Sequence, residues 1–289
     1  MPSARQVKQR INTAQNIAKI TKAMEMVSAS KMKRAQQAAL AARPYAQALE
    51  DSLRRVATQN PDYVHPLLSK HELGSELLII VATDRGLCGS LNQNLFKITT
   101  KWLTDHKEGK VVVVGKKAVA FARYMGLDVL ATFVNLPDRI NSGDLVPLST
   151  LVTDRFTRQE LKSVDLLFAD FINTLSQQPK LISLLPIGKL PSSPDTLSAL
   201  ETSNEFLFEP SSHDILDELL PYYLENTIFQ TFLEAKASEH SARMVAMKNA
   251  SDNAKDLVRE LRLLYNKSRQ ESITNELLDI TTATLSLEA

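Results

Sequence analysis

The sequence predicts an α/β protein with a long coiled coil, in which a small central α/β domain separates two terminal helices that pair antiparallel. The first observation is the placement of glycine, because all 8 glycines of the 289-residue chain lie between Gly74 and Gly188. The second is that residues 3–43 and 222–289 contain neither glycine nor proline, the residues that most often interrupt helices. At 1.5 Å per residue these stretches form rods of roughly 60 and 100 Å.

The third observation is a polarised charge distribution behind a net charge of +1. Residues 1–58 carry 11 Lys and Arg against 3 Asp and Glu, residues 59–209 carry 15 against 17, and residues 210–289 carry 8 against 13. A basic and an acidic terminal segment are electrostatically suited to pair. These boundaries predict an N-terminal shaft helix, a central α/β domain with connecting loops, and a C-terminal shaft helix.

Composition excludes several classes of protein. With 44% hydrophobic residues and 23% charged residues, the chain is neither disordered nor collagen-like. The longest apolar run, Leu77–Ala82, is far shorter than the ~20 residues of a membrane-spanning helix. The N-terminus has no apolar signal segment, and the single cysteine, Cys88, cannot form an internal disulfide. We therefore expect a reducing, intracellular setting.

The terminal segments contain apolar patterns with the 3-4 spacing of a coiled-coil seam. The N-terminal pattern comprises Val7, Ile11, Ala14, Ile17, Ile20, Met24 and Val27. The C-terminal pattern comprises Met247, Ala250, Ala254, Leu257, Leu261 and Leu264. It is interrupted at Ser268 and Glu271 and resumes at Ile273, Leu277 and Ile280. Two narrow seams at opposite ends of the chain favour a two-helix coiled coil over two helices laid on one domain.

Between the terminal segments, short apolar runs alternate with helical patterns, which is typical of a small α/β (Rossmann-like) domain with a mostly parallel sheet. The predicted strands are Leu77–Ala82, Val111–Val114, Asp128–Val134, Val164–Ala169 and Leu181–Ile187. The predicted helices are Asn92–His106 and Lys116–Met125. Residues Leu190–Pro210 are predicted to form a loop or edge.

One segment has the position of a phosphate-binding loop, since Asp84–Asn92 follows a strand and opens a helix. It lacks both the third glycine of a dinucleotide fingerprint and the Gly-Lys-Ser/Thr of a P-loop. A tight strand-to-helix turn and a nucleotide site both remain open. Cys88 has no histidine near it in sequence, and the five histidines form no metal-binding pair at helical spacing. We assign no catalytic, cofactor-binding or metal-binding residue.

Motifs in three parts of the chain resemble those of one known family. They are Ile20–Val27 with Ser30–Met32, Thr83–Gly89, and a C-terminal set formed by Ser238-Glu239, Ala242–Met244, Ala246-Met247, Asn253-Ala254, Tyr265-Asn266, Arg269-Gln270, Ile273-Thr274 and Glu276-Leu277. Together they resemble the gamma subunit of the rotary (F-type) ATP synthase. The resemblance covers the whole chain and is weaker between about residues 130 and 210.

The resemblance implies the central rotor shaft of ATP synthase. It implies that the terminal helices lie inside a ring of alpha and beta subunits, and that the central domain touches the epsilon subunit and the membrane rotor ring of c subunits. Catalysis belongs to the beta subunits, so the chain itself would be a non-catalytic subunit in ATP synthesis and hydrogen ion transport. The implied location is peripheral, on the cytoplasmic face of the bacterial inner membrane, without insertion into the bilayer.

The resemblance also implies a set of partner-interface residues. They are Lys22, Met24 and Lys31 in the N-terminal motif, Arg243, Arg269 and Gln270 in the C-terminal motif, and Phe206, Phe208 and Glu209 near the epsilon subunit and rotor. Two departures are visible. Lys267 stands where arginine is common in the family, and the tail Thr281–Leu285 lacks the family's usual glycine.

Two other functions remain open from the residues. A basic coiled-coil arm could bind nucleic acid, although Tyr45 is the only aromatic residue in the first 58 and the two predicted helices are far apart in sequence. An α/β enzyme could bind a nucleotide at the Asp84–Asn92 turn. Under the family resemblance we expect neither nucleic acid nor a cofactor.

Overall fold

The computed structural model describes residues 4–59, 65–187 and 211–288, so the predicted Leu190–Pro210 loop lies outside the described residues. The chain divides into two compact units. The coiled-coil unit comprises Met1–Ser28 and Arg243–Ala289, and the sheet unit comprises Ala29–Ala242. The elements in chain order are α1 (Ala4–Gln59), β1 (Ser75–Val81), α2 (Leu91–Asp105), β2 (Lys110–Val114), α3 (Lys116–Met125), β3 (Val129–Phe133), α4 (Val146–Thr157), β4 (Leu161–Phe171), β5 (Gln177–Leu185) and α5 (Ser212–Glu288).

The sheet has five strands in the order β3-β2-β1-β4-β5, and only β5 is antiparallel to its neighbour. Leu78 of β1 lies opposite Val111 of β2 on one side and Asp165 of β4 on the other. Side chains of α2 and α3 cover one face, with Trp102 and Ala118 among the buried residues. Both faces of the sheet are covered, which explains why the central strands are continuous apolar runs in the sequence. The predicted α/β domain is confirmed.

The opposite face of the sheet is covered by α4 and by the parts of α1 and α5 that belong to the sheet unit. Leu53 and Val56 of α1 and Leu220 and Phe232 of α5 are buried in the same apolar cluster as the strands. The prediction that both terminal helices are coiled-coil rods along their whole length applies to the coiled-coil unit, but not to residues 29–59 of α1 and 212–242 of α5. In these stretches it was wrong and the helices lie on the domain, because their apolar stripes meet the uncovered face of the sheet.

Both long helices continue through a proline, Pro44 in α1 and Pro221 in α5. An interior proline costs about 3 kcal/mol in a helix. Leu53, which follows Pro44, and Leu220, which precedes Pro221, are buried in the core of the sheet unit, and such packing offsets the cost. Helices α1 and α5 are therefore longer than the glycine- and proline-free stretches 3–43 and 222–289, and their bounds lie close to the predicted shaft segments 1–58 and 210–289.

The helices of the coiled-coil unit run antiparallel, as predicted. Val7, Ile11 and Ala14 of α1 form a buried cluster with Val258 of α5. Further along α1, the carbonyl of Ala18 accepts a hydrogen bond from a residue earlier in α5, the hydroxyl of Ser251, at 3.3 Å. As the residue number rises in α1, it therefore falls in α5.

The seam agrees only in part with the predicted one. Buried as predicted are Val7, Ile11, Ala14, Met247 and Ala254. The predicted continuation at Ile273, Leu277 and Ile280 was wrong, because these side chains are 45%, 58% and 61% exposed. Val258 is 7% exposed and Leu257, the predicted seam residue, is 46% exposed. Ser251 and Ser28 are buried, and Ser268, predicted to interrupt the seam, is buried as well. Small side chains at the contact allow close helix approach, so packing selects them over the adjacent large apolar residues.

Candidate functional site

The turn after β1 is held by a carboxylate that occupies the position expected for a bound anion. The Asp84 Oδ1 atom accepts hydrogen bonds from the backbone N–H groups of Lys116, at 3.0 Å, and Asn135, at 3.3 Å. Lys116 is the first residue of α3, so Asp84 neutralises the positive end of that helix. The next N–H of α3, from Lys117, is donated to the carbonyl of Thr83.

A second set of hydrogen bonds ties the two ends of the turn together. The Asn92 amide donates to the Thr83 hydroxyl at 2.8 Å and to the Cys88 sulfur at 3.4 Å, while its oxygen accepts from the Thr83 backbone N–H. Leu87 and Gly89 adopt left-handed backbone angles, with φ of 62° and 60°. These bonds and angles are those of a tight strand-to-helix turn.

Little space is left beside this turn for a ligand. The cavity lined by Asp84, Gly115 and Glu239, among others, has a volume of about 20 Å³. A side chain at Gly115 would place its Cβ 2.4 Å from the carbonyl oxygen of Ala82, so the strands' ends are packed backbone to backbone. Small-molecule sites usually measure roughly 300–1,000 Å³. The geometry therefore favours the turn over the nucleotide site.

Cys88 is buried in a small cluster with Leu91, Ala169 and Ala242. Its thiol packs as a small hydrophobic group and accepts the weak hydrogen bond from Asn92 described above. Within residues 4–59, 65–187 and 211–288, no group of three or more His, Cys, Asp or Glu side chains could hold a metal ion. None of the helices in those ranges is long and apolar enough to cross a membrane.

The coiled-coil unit carries apolar side chains outside its seam. Ile17, Ile20 and Val27 of α1 are 48%, 60% and 55% exposed, and Met24 lies between them and is half-buried. Their spacing of 3, 4 and 3 residues places the four on one face of α1, and we call them the α1 ridge. The prediction that Ile17, Ile20 and Val27 form the seam was wrong, because the small side chains Ala18 and Ser28 take that place.

Five of the predicted interface residues lie in the coiled-coil unit. Lys22 is exposed and forms an ion pair with Glu25 one turn along α1, at 2.9 Å. Met24 belongs to the α1 ridge. The remaining three lie on α5, where Arg243 is buried and Arg269 and Gln270 are exposed.

Lys31 differs from the others because it belongs to the sheet unit and already has a carboxylate partner. Its ammonium group donates to the Asp138 Oδ2 atom at 2.5 Å. This hydrogen bond holds the pKa of the Asp138 carboxyl below its usual range. The Nε2 atom of the buried His240 lies 3.8 Å from the other carboxylate oxygen.

The predicted interface residues Phe206, Phe208 and Glu209 lie outside the described residues. Sequence reasoning missed Asp138 and His240, which meet Lys31 only because α5 and the loop after β3 converge on α1. It also missed that the α1 ridge faces outward. The sequence signal that could have identified the true seam was the set of small residues close to the larger apolar ones, which comprises Ala18, Ser28 and Ser251.

Comparison with known proteins gives consistent matches over nearly the whole chain. A model of the protein family described as ATP synthase matches residues 3–287. The "ATP synthase gamma chain" of Dehalococcoides mccartyi is 42% identical over 283 residues, which cover 97% of each chain. The protein of the same name from Herpetosiphon aurantiacus is 42% identical over 292 residues, again covering 97% of each chain.

Solved structures with a similar fold come from two mitochondrial ATP synthases. A chain in the central stalk and c-ring structure from Tetrahymena thermophila is 25% identical, with a TM-score of 0.60, and the match covers 80% of this chain and 99% of that one. A chain in the rotor structure from Euglena gracilis has a TM-score of 0.61 at 19% identity, with 93% and 98% covered. These matches agree with the long terminal helices and the central sheet.

Proposed function

The chain belongs to the family of ATP synthase gamma chains, and from this premise we propose that it is the central rotor shaft of its ATP synthase. In this role it couples proton-driven rotation of the membrane rotor to conformational cycling of the catalytic beta subunits. Family membership makes it a component of that complex. The chain itself contributes mechanical coupling and no catalytic group.

The α1 ridge is the observation that carries this proposal. Isoleucine and valine side chains that are about half exposed on a two-helix coiled coil stabilise a complex when a partner covers them. The coiled coil does not use them for its own pairing. A surrounding ring of alpha and beta subunits supplies the missing apolar surface.

The position of the ridge suits a rotating part. It lies on one face of α1, so rotation presents the apolar side chains to each surrounding subunit in turn. The exposed cations Lys22 and Arg269 can exchange carboxylate partners during this motion, and Met24 provides an adaptable apolar contact. We propose that these residues, with Lys31, Arg243 and Gln270, contact the ring.

The further proposed partners are the epsilon subunit and the c-subunit ring, with Phe206, Phe208 and Glu209 as contacts. The complex is proposed to sit peripherally on the cytoplasmic face of a bacterial inner membrane. The two alternative functions have less support. The turn after β1 uses its own hydrogen-bond donors internally, which disfavours a nucleotide enzyme, and none of the reported relatives bears a nucleic-acid-binding name.

The proposal is tested by mixing the purified full-length chain with alpha and beta subunits from the same complex. We expect a stable assembly on size-exclusion chromatography and rotation-coupled ATPase activity in that assembly, with no ATPase activity in the chain alone. Nucleotide turnover by the chain alone, without a stable assembly, would overturn the proposal.

A single substitution tests the contact through Met24. Met24→Lys places a charge on the α1 ridge, and we expect it to impair ATP-driven rotation in the assembly while the chain keeps its helical content. Met125→Lys, the same substitution at an exposed methionine of the sheet unit, is the matched control. Normal rotation in the Met24 variant, or loss of folding alone, counts against this assignment.

A further inference from the structure

A cleft in the sheet unit lies between α1, α5 and the loop that follows β3. Its volume is about 570 Å³, within the range of roughly 300–1,000 Å³ that small-molecule sites occupy. Two of its walls come from helices that lie side by side, and residues 138–141 of the loop close the third side. The cleft shares Lys236, and no other lining residue, with the small cavity beside the turn after β1.

The charges around the cleft are unbalanced. Lys31, Arg34, Arg139 and Lys236 line it, and Asp138 is the one carboxylate among the lining residues. Two of these cations have partners, because Lys31 pairs with Asp138 and Lys236 pairs with Glu239 at 3.4 Å.

The two arginines remain available to an anion. Arg34 donates only long hydrogen bonds, of 3.5 Å, to the carbonyl and hydroxyl oxygens of Ser30 on its own helix. Among the residues that the structure describes, neither Arg34 nor Arg139 forms an ion pair. A guanidinium group binds planar or tetrahedral oxyanions through paired hydrogen bonds.

The rest of the lining is apolar. Ile140 and Leu233 are buried, and Phe229 is partly buried beside them. A free inorganic anion would gain nothing from this surface, whereas a molecule with an apolar body would bury it. The cleft therefore combines an anion-binding rim with an apolar floor.

We propose that this cleft binds a small amphipathic anion, in which a sulfonate, phosphate or carboxylate group meets Arg34 and Arg139 and an aromatic or aliphatic body covers Ile140, Phe229 and Leu233. The proposal does not depend on the rotor function. It concerns the full-length chain before other subunits are added.

The probe is 8-anilinonaphthalene-1-sulfonate, and its uncharged analogue N-phenyl-1-naphthylamine reports binding by apolar surface alone. Fluorescence titration of the full-length chain measures both. We expect the sulfonate to bind at least about tenfold more tightly than the uncharged analogue. Equal affinity for the two probes would overturn the proposal, and so would displacement of the sulfonate by inorganic phosphate at equal concentration.

Three substitutions locate the site, all at exposed positions so that folding is preserved. Arg139→Gln is expected to weaken sulfonate binding about tenfold, the equivalent of about 1.4 kcal/mol. Asp138→Asn removes the opposing carboxylate and is expected to tighten binding. Arg158→Gln, a cation outside the cleft, is the matched control. Equal effects of Arg139→Gln and Arg158→Gln, or weaker binding by Asp138→Asn, would refute this location.

Discussion

Removal of the isoleucine and valine side chains of the α1 ridge is expected to weaken assembly far more than it destabilises the chain. The triple substitution Ile17→Ala, Ile20→Ala and Val27→Ala deletes side chains that are about half exposed in the coiled-coil unit. Full burial of such a side chain is worth about 1.5–3 kcal/mol. A ring that covers the exposed half of each therefore gains about 1 kcal/mol per residue, or about 3 kcal/mol in total.

Since each 1.4 kcal/mol corresponds to a factor of about ten, the triple variant should bind the alpha and beta subunits about 100-fold more weakly. Within the chain, the loss of packing is partly offset because alanine has a higher helix propensity than isoleucine or valine. The assay is a titration of labelled chain with alpha and beta subunits, and thermal circular dichroism of the chain alone accompanies it.

The matched control removes three exposed apolar side chains from the sheet unit, Leu73, Tyr124 and Leu175, which are 77%, 87% and 79% exposed. Replacing them by alanine should leave binding to alpha and beta subunits unchanged. The reasoning fails if the ridge variant assembles as tightly as the unmodified chain, or if the control variant is weakened equally.

Three further outcomes follow from the contacts. Asp84→Ala should lower the free energy of unfolding by about 2 kcal/mol in urea titration, because two backbone N–H groups lose their acceptor; no change would contradict its anchoring role. Val258→Ala should lower the free energy of unfolding by about 1–2 kcal/mol, and Leu257→Ala should lower it less, because Val258 is buried and Leu257 is half exposed. Thermal unfolding followed by circular dichroism measures both, and the reverse order would support the seam predicted from sequence. The hydrogen bond from Lys31 lowers the pKa of Asp138 in the folded chain. The ion pair therefore stabilises the fold above the unfolded-state pKa of about 3.9, and this stabilisation is lost as the pH falls through the lower pKa of the folded state. Both side chains are partly exposed, so Asp138→Asn should lower the free energy of unfolding by less than about 1 kcal/mol at pH 7 and by progressively less as the pH falls below the unfolded-state pKa; a cost independent of pH would refute the assignment.

The sequence by itself determined the two long helices and the strands of the central sheet. The confinement of glycine to the middle of the chain predicts the two long helices, and apolar runs such as Val111–Val114 predict buried strands. These signals are local, because a helix needs uninterrupted propensity and a strand buried on both faces needs a continuous apolar run. The motifs around Ile20–Val27 and Thr83–Gly89 likewise lie within short segments, and they were sufficient to predict the family. One local signal was overlooked, Pro147 in the first turn of α4 with Leu148, Val152 and Phe156 behind it.

Tertiary structure alone decided which of two adjacent residues faces a partner helix. Leu257 and Val258 are both apolar, and the choice between them depends on how closely α1 approaches, which small side chains such as Ser251 control. The same holds for the meeting of Lys31, Asp138 and His240, which are far apart in sequence. Packing between distant segments sets these positions, because close-packed side chains exclude arrangements that the periodicity of one segment permits equally.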